Sequence, residues 1–218
     1  MRIRTLRLLL WITIAFLGTR VAEAQQRLVI DDFKTGEYLK TLSNDQEIAY
    51  RTGTGIAGGV RQTFLFVGPG NQYNQPTTLH IRNNGPMIID SGLKSFFGLF
   101  LSYGYTINGE PNPLNLDLSA YDRFRIRFDS SDLEMGYGIL IYDRNGNQSN
   151  LDGTDSTAGR LSEFNADLHF ADFSPGYPNP IDWGHIDFIG VLFQSGSAIA
   201  GNDFAVKSIL AIKPQPNQ

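Results

Sequence analysis

The sequence predicts an all-β domain built as a sandwich of two antiparallel sheets. Three observations carry this. Strand-like runs recur along the chain, separated by Gly-, Asn- and Pro-rich turns, and almost no run shows helical periodicity. The chain also opens and closes on such runs, LVIDDF at residues 28–33 and NDFAVKSIL at residues 202–210. Many short strands between turn signals, closed at both ends, point to a sandwich or barrel.

The domain boundaries follow from the two ends. Arg2, Arg4 and Arg7 form a basic n-region, residues 8–17 are apolar apart from Thr13, and Ala22, Glu23 and Ala24 make an A-x-A cleavage site. This is the grammar of a secretory signal peptide, and the apolar run is too short for an ordinary spanning helix. Residues 1–24 are therefore read as a signal cut after Ala24, residues 25–212 as the domain, and residues 213–218 as a flexible tail. The expected location is periplasmic or secreted. No later segment is apolar enough to span a bilayer. The chain has no cysteine, so neither lipid attachment at a lipobox nor a disulfide is available to it. Signal removal takes away four Arg and one Glu, moving the formal charge from −4 to −7. That balance argues against nucleic acid and anionic membranes as partners.

Strand signals fall at residues 29–33, at 60–67 (VRQTFLFV) after Gly58 and Gly59, and at 78–82 and 87–89 on either side of the turn sequence NNGP. Residues 96–105 form a long aromatic-rich run. Residues 124–128 and 137–142 alternate, and DRNG at 143–146 reads as a turn. Residues 185–194 and 204–212 complete the set. One helix fits the pattern, at residues 37–47, and the longest polar loops are 143–160 and 171–182. Alternation places Phe124, Ile126 and Phe128 in the core and Arg123, Arg125 and Arg127 on the opposite face. The 186–193 run is apolar on both faces, as in a central strand covered on both sides.

The ordered set IDDF (30–33), IAGGVR (56–61), DLSAYD (117–122), IYDRNGN (141–147), FADF (170–173), the run from Trp183 to Ile189, and DFAV (203–206) resembles the galactose-binding-like jelly-roll domains. It is most similar to exported bacterial versions that begin with an IDDF strand and carry an I-x-G-G-x-R element. Non-catalytic carbohydrate-binding modules share that architecture. The likeness covers nearly the whole mature chain. It implies a jelly-roll β-sandwich, and it also implies a structural calcium between the first and last strands, with Asp32 (Asp31 as the alternative) and Asp203 as ligands. Calcium takes several oxygens, so carbonyls and a third side chain would have to join them. The same acids also read as solvated edge residues that discourage sheet-to-sheet pairing.

Other chemistry finds little support. The sequence from Asp143 to Asn147 starts like a calcium loop, but Gln148 stands where Gly is needed and Thr154 where the bidentate Glu belongs, so a hairpin turn is the better reading. His80, His169 and His185 lack zinc-ligand spacing. There is no G-x-S-x-G elbow and no thiol nucleophile. The match GTGIAG at residues 53–58 has no strand–helix context for a nucleotide. Glycosidases need two facing carboxylates, and the scattered glutamates of the mature chain show no such pattern.

Sugar recognition uses aromatic platforms with planar hydrogen-bonding groups. The candidates are Tyr103, Tyr105, Tyr177 and Trp183 as platforms and Arg125 and Arg127 as bidentate donors. Each has a structural alternative. Tyr103 and Tyr105 are in phase with core residues, Trp183 could plug one end of the sandwich, and the arginines could pair with cross-strand acids. The expected function is an exported, non-catalytic binding module for polysaccharide or cell-envelope glycan. The alternatives are a structural or adhesive surface protein that binds another protein, and, below that, a polysaccharide-acting enzyme.

Overall fold

A computed structural model describes residues 27–68, 73–195 and 201–214; the segment read as a signal, residues 1–24, and most of residues 213–218 lie outside them. The chain forms a jelly-roll β-sandwich. The seven-stranded sheet runs β11 (Phe164–His169), β8 (Arg123–Ser131), β13 (Phe204–Ile212), β6 (Met87–Ser91), β5 (Thr77–Ile81) and β2 (Tyr38–Leu42), and β1 (Arg27–Asp31) also pairs with β13. The six-stranded sheet runs β10 (Gln148–Asp152), β9 (Met135–Asp143), β12 (Ile186–Ser195), β7 (Phe97–Tyr103), β4 (Val60–Val67) and β3 (Gln46–Thr52). Among the described residues the only helical pieces are single 3-10 turns at Ala57–Gly59 and Phe170–Asp172.

The first and last strands meet as the sequence suggests. β1 lies antiparallel to the second half of β13, from Arg27 opposite Ile212 to Asp31 opposite Ile209. The NNGP turn joins β5 to β6, and the turn after Asp143 joins β9 to β10. Asp143 organises that second turn. Its carboxylate accepts hydrogen bonds from the backbone of Asn145, Asn147 and Asp182 and from the Asn147 amide, at 2.8–3.0 Å. These donors hold its pKa below the ordinary value, against the opposing push of burial.

Residues 37–47 are not a helix. Tyr38 and Leu42 point into the core from β2, Asn44 takes a positive φ of 55°, and the chain then crosses to the other sheet as β3. An alternating Tyr38-Leu39-Lys40-Thr41-Leu42 run suits a half-buried strand, and Asn tolerates the left-handed turn that re-aims the chain. β10 arises inside the 143–160 stretch that reads as polar loop, and β11 forms between the two loop stretches; both are edge strands, which need few apolar residues.

Phe124, Ile126 and Phe128 are fully buried, so the predicted phase of β8 holds. They share one core with Leu99, Leu101, Ile139, Ile141, Val191 and Phe193 of the facing sheet, and the Phe128 ring meets Phe193 edge to face at 6.2 Å. One charged group crosses this interior. Arg61 on β4 and Asp31 at the end of β1 are both 0% exposed. Arg61 Nη1 donates to Asp31 Oδ2 at 2.9 Å, the Tyr103 hydroxyl donates to the same oxygen at 3.0 Å, and the Phe33 amide donates to Oδ1 at 2.8 Å. The guanidinium also lies 5.6 Å from the Phe33 ring centre. Burial pushes the Asp31 carboxyl up while Arg61 opposes it; burial and Asp31 together hold the Tyr103 phenol well above its usual value. The acid of IDDF and the arginine of I-x-G-G-x-R are thus each other's partners and tie the two sheets together.

Candidate functional site

The outward face of the six-stranded sheet is unusual for a solvent face. Strand alternation and register lay its side chains in cross-strand rows. One row reads Tyr50, Gln62, Ser102, Gly190, Leu140 and Asn150. The next reads Ile48, Phe64, Phe100, Leu192, Gly138 and Asp152. A third reads Gln46, Phe66, Gly98, Gln194 and Gly136. Apolar rings therefore sit among primary amides, and Ile48 and Phe96 remain 57% and 38% exposed.

Two glycines shape this surface. At Gly190 a Cβ would lie 2.3 Å from the Phe100 ring, so the missing side chain lets that ring lie across the strand. At Gly98 a Cβ would meet nothing within 4 Å, so the missing side chain leaves open space. Gly98 forms part of a depression of about 400 Å³, walled by Phe64, Phe66, Phe96, Phe100 and Leu192, with Gln194 as its polar group. The Phe66 and Phe96 rings meet edge to face at 6.4 Å.

A second aromatic group lies at the other end of the same face. Tyr105 contacts Tyr50 at 6.2 Å and Phe188 at 6.0 Å, and Phe188 contacts Tyr142 at 5.3 Å, all edge to face. Burial, then Tyr50 and Tyr142, push the Tyr105 phenol upward, so it stays a neutral donor. The Tyr50 hydroxyl accepts from the Gln62 amide at 2.7 Å, which fixes both groups.

The sequence candidates separate clearly. Tyr105 stands on this face, because Gly104 at φ 117° breaks the alternation of β7 and turns the next side chain outward. Tyr103, one place earlier, keeps the core phase and is fully buried against Asp31; it is a core residue and reaches no ligand surface. Tyr177 is 73% exposed and its backbone pairs with Gln148, so it extends the six-stranded sheet beyond β10. Trp183 does plug one end. It stacks on Phe170 at 3.9 Å with Phe173 beside it, and it packs against the core.

Arg125 and Arg127 lie on the outward face of the other sheet, away from these rings. Arg125 grips Asp167 through two bonds of 2.6 Å, Arg123 reaches the same acid at 3.3 Å, and Arg127 bonds Glu163. Lys207 holds Glu163 and Asp129, each at 2.8 Å. Lys207 and then Arg127 pull the Glu163 pKa down to about 2. Burial alone would raise Asp167, but its bonds and charge attraction to Arg125 and Arg123 win and hold it low.

The two acids proposed for calcium do not meet. Asp31 pairs with Ile209, whereas Asp203 stands six residues back along β13, on the order of 20 Å away at the usual rise of a strand. Asp32 Oδ1 caps the Lys34 amide at 3.0 Å, and Asp203 Oδ1 accepts from the Ser91 amide at 2.9 Å. Among the described residues no group of three or more His, Cys, Asp or Glu is placed to hold a metal ion.

No residue of the outward aromatic rows other than Tyr105 stood out in the sequence. The available signal was the double-sided apolar character of β4 and β12, where Phe64, Phe66, Phe188 and Leu192 alternate with core residues. Such a strand reads as covered on both sides; here the second side is open.

Comparison with known proteins gives no matching family model and no matching curated protein. Solved structures do match. One is the family 11 carbohydrate-binding module of the cellulosomal cellulase Lic26A-Cel5E of Clostridium thermocellum, at 14% identity and a TM-score of 0.43, over 88% of this chain and 97% of that one. Another is TmCBM61 in complex with β-1,4-galactotriose, at 12% identity and a TM-score of 0.34, over 87% and 99%. The agarase AgWH50C matches at 16% identity and a TM-score of 0.44, over 88% of this chain but 25% of that one. Among the described residues no helix is long and apolar enough to cross a membrane.

Proposed function

We propose that the protein is an exported, non-catalytic glycan-binding module, and that the ligand lies on the outward face of the six-stranded sheet. One observation carries this reading. Half-buried rings and amides lie there together in register across several strands, over a floor opened by glycine. A sugar ring offers a C–H face and an equatorial rim of hydroxyls. Phe100, Tyr105 and Phe64 suit the first, and Gln62, Gln194 and Asn150 suit the second. The six strands span roughly 24 Å at the usual strand spacing, which favours a chain over a single sugar. Acids elsewhere serve structure: Asp167 and Glu163 hold arginines, and Asp143 holds a turn.

A specific observation also favours a second reading, in which the face binds a protein surface. Its Phe64–Phe66–Phe96 end has a single polar lining residue, Gln194. A glycan array followed by calorimetry separates the two. Binding of a neutral polysaccharide that Phe100→Ala weakens at least tenfold supports the glycan reading. No glycan bound, with concentration-dependent self-association that Phe66→Ser abolishes, replaces it with the protein reading.

A further inference from the structure

The sheet that carries the arginines contains a notch. Along one edge of β13, β6 pairs with residues 204–206 and β1 pairs with residues 209–212. The two partner strands abut end to end and leave Lys207 and Ser208 facing a gap. The gap is closed by the turn after β5, at Asn84, Gly85 and Pro86, and by Asp32 and Lys34 after β1. The result is a depression of about 370 Å³, within the size range of small-ligand pockets, roughly 300–1,000 Å³.

Its lining is cationic in a chain of net negative charge. Arg27, Lys34, Arg127 and Lys207 border it, against the single carboxylate of Asp32. Arg127 and Lys207 are already satisfied by Glu163 and Asp129. Lys34 and Arg27 are exposed, and their side chains have no ion-pair or hydrogen-bond partner among the described residues. Ser208 is 7% exposed and its hydroxyl is buried with no hydrogen-bond partner among the described residues. An unpaired buried hydroxyl costs free energy, which a ligand oxygen would return after a simple χ1 rotation. Val29, Leu210 and Pro86 add an apolar wall beside the charges.

We infer that this notch binds the carboxylate or sulfate group of an acidic sugar unit, with Lys34 and Arg27 supplying charge, Ser208 a hydrogen bond and Val29 with Leu210 a surface for the ring. This site lies on the opposite sheet from the aromatic face and does not rest on it. The confined cavity suits one anionic group; a membrane surface would need cations spread over an open face.

Calorimetry with sodium sulfate, glucuronate and polygalacturonate tests the inference. At least one should bind with a Kd below about 1 mM. The double variant Arg27→Ala/Lys34→Ala should weaken that binding at least tenfold with an unchanged melting temperature, and added salt should weaken it too. Binding of glucuronate or sulfate alone assigns a free small ligand, and binding of polygalacturonate alone assigns a polymer; either supports the site. Failure of all three probes to bind, or equal binding by the double variant, overturns it. Neutral-glycan binding on the aromatic face should be the same in both proteins.

Discussion

The Asp31–Arg61 pair and the outward face of the six-stranded sheet both invert the ordinary placement of side chains. In the first, charge lies at zero exposure between two sheets. In the second, phenylalanine, isoleucine and tyrosine face solvent in rows. The interior pair is sealed from solvent: Asp31 receives donors from Arg61, Tyr103 and Phe33, and although Arg61 Nε has no partner among the described residues, at zero exposure no ligand reaches it. The outward face is open: Ile48 and Phe96 lack cover, and Gly98 leaves space beside Phe96. A misplaced group whose partners are all internal serves the fold. A misplaced group with no partner is where a second molecule is expected.

The largest effect should come from breaking the closed site. Arg61→Ala leaves the Asp31 carboxylate buried beside a cavity and should cost roughly 3–5 kcal/mol of stability. Urea denaturation checks this, and a loss under about 1 kcal/mol would mean that the interior relaxes to admit water. Arg61→Met combined with Asp31→Leu removes both charges and should recover most of the loss, because a well-packed apolar pair often replaces a buried ion pair without cost. Neither variant touches the outward rows. Neutral-glycan affinity should therefore be retained wherever the variants are folded.

Phe100→Ala opens the other half of the comparison. It should cut neutral-glycan affinity about tenfold to thirtyfold, or about 1.4–2 kcal/mol, as for a central aromatic anchor. A sharper variant is Gly98→Val. Its Cβ has open space and its backbone φ is not positive, so the valine should fit the strand and raise stability by roughly 0.5–1 kcal/mol. It also fills the depression. Lower affinity together with a higher melting temperature is the expected pair of results; unchanged affinity would move the ligand off this part of the face.

The same comparison shows what could be read from the chain. Phe124, Ile126 and Phe128 followed a two-residue period, so the core side of β8 was legible, and turn chemistry marked the β5–β6 and β9–β10 hairpins. Asp31 and Arg61 stood in the two motifs that carried the family resemblance, yet their pairing was not legible. They are thirty residues apart in different sheets, and a sequence shows no distance across a sandwich. Tyr105 was legible as a candidate but not distinguishable from Tyr103, because the phase change depends on the conformation of Gly104. Phe64, Phe66 and Phe100 were hidden for a different reason. Solvent-facing and core-facing apolar residues are chemically the same, and only the absence of a covering layer tells them apart.

The arginine face gives the smallest effects and so sets the baseline. Arg125→Ala breaks a bidentate but half-exposed bond to Asp167 and should cost at most about 1 kcal/mol, with no change in neutral-glycan binding.

Glu163 provides the pH test on that face. Its folded pKa, drawn down to about 2 by Lys207 and Arg127, lies below the ordinary glutamate value of 4.5. The folded state then holds the ionised form more strongly than the unfolded chain does. Its contribution to stability is complete above the unfolded pKa, begins to fall as pH drops through 4.5, and is gone below about 2. The group is fully exposed, so salt should reduce the contribution. Side-chain carboxyl titration by NMR should place the Glu163 midpoint well below 4.5, and Lys207→Ala should move it back up. An unshifted midpoint in the parent protein would show that the ion pairs exchange freely with water, leaving this face without fixed charge pairs.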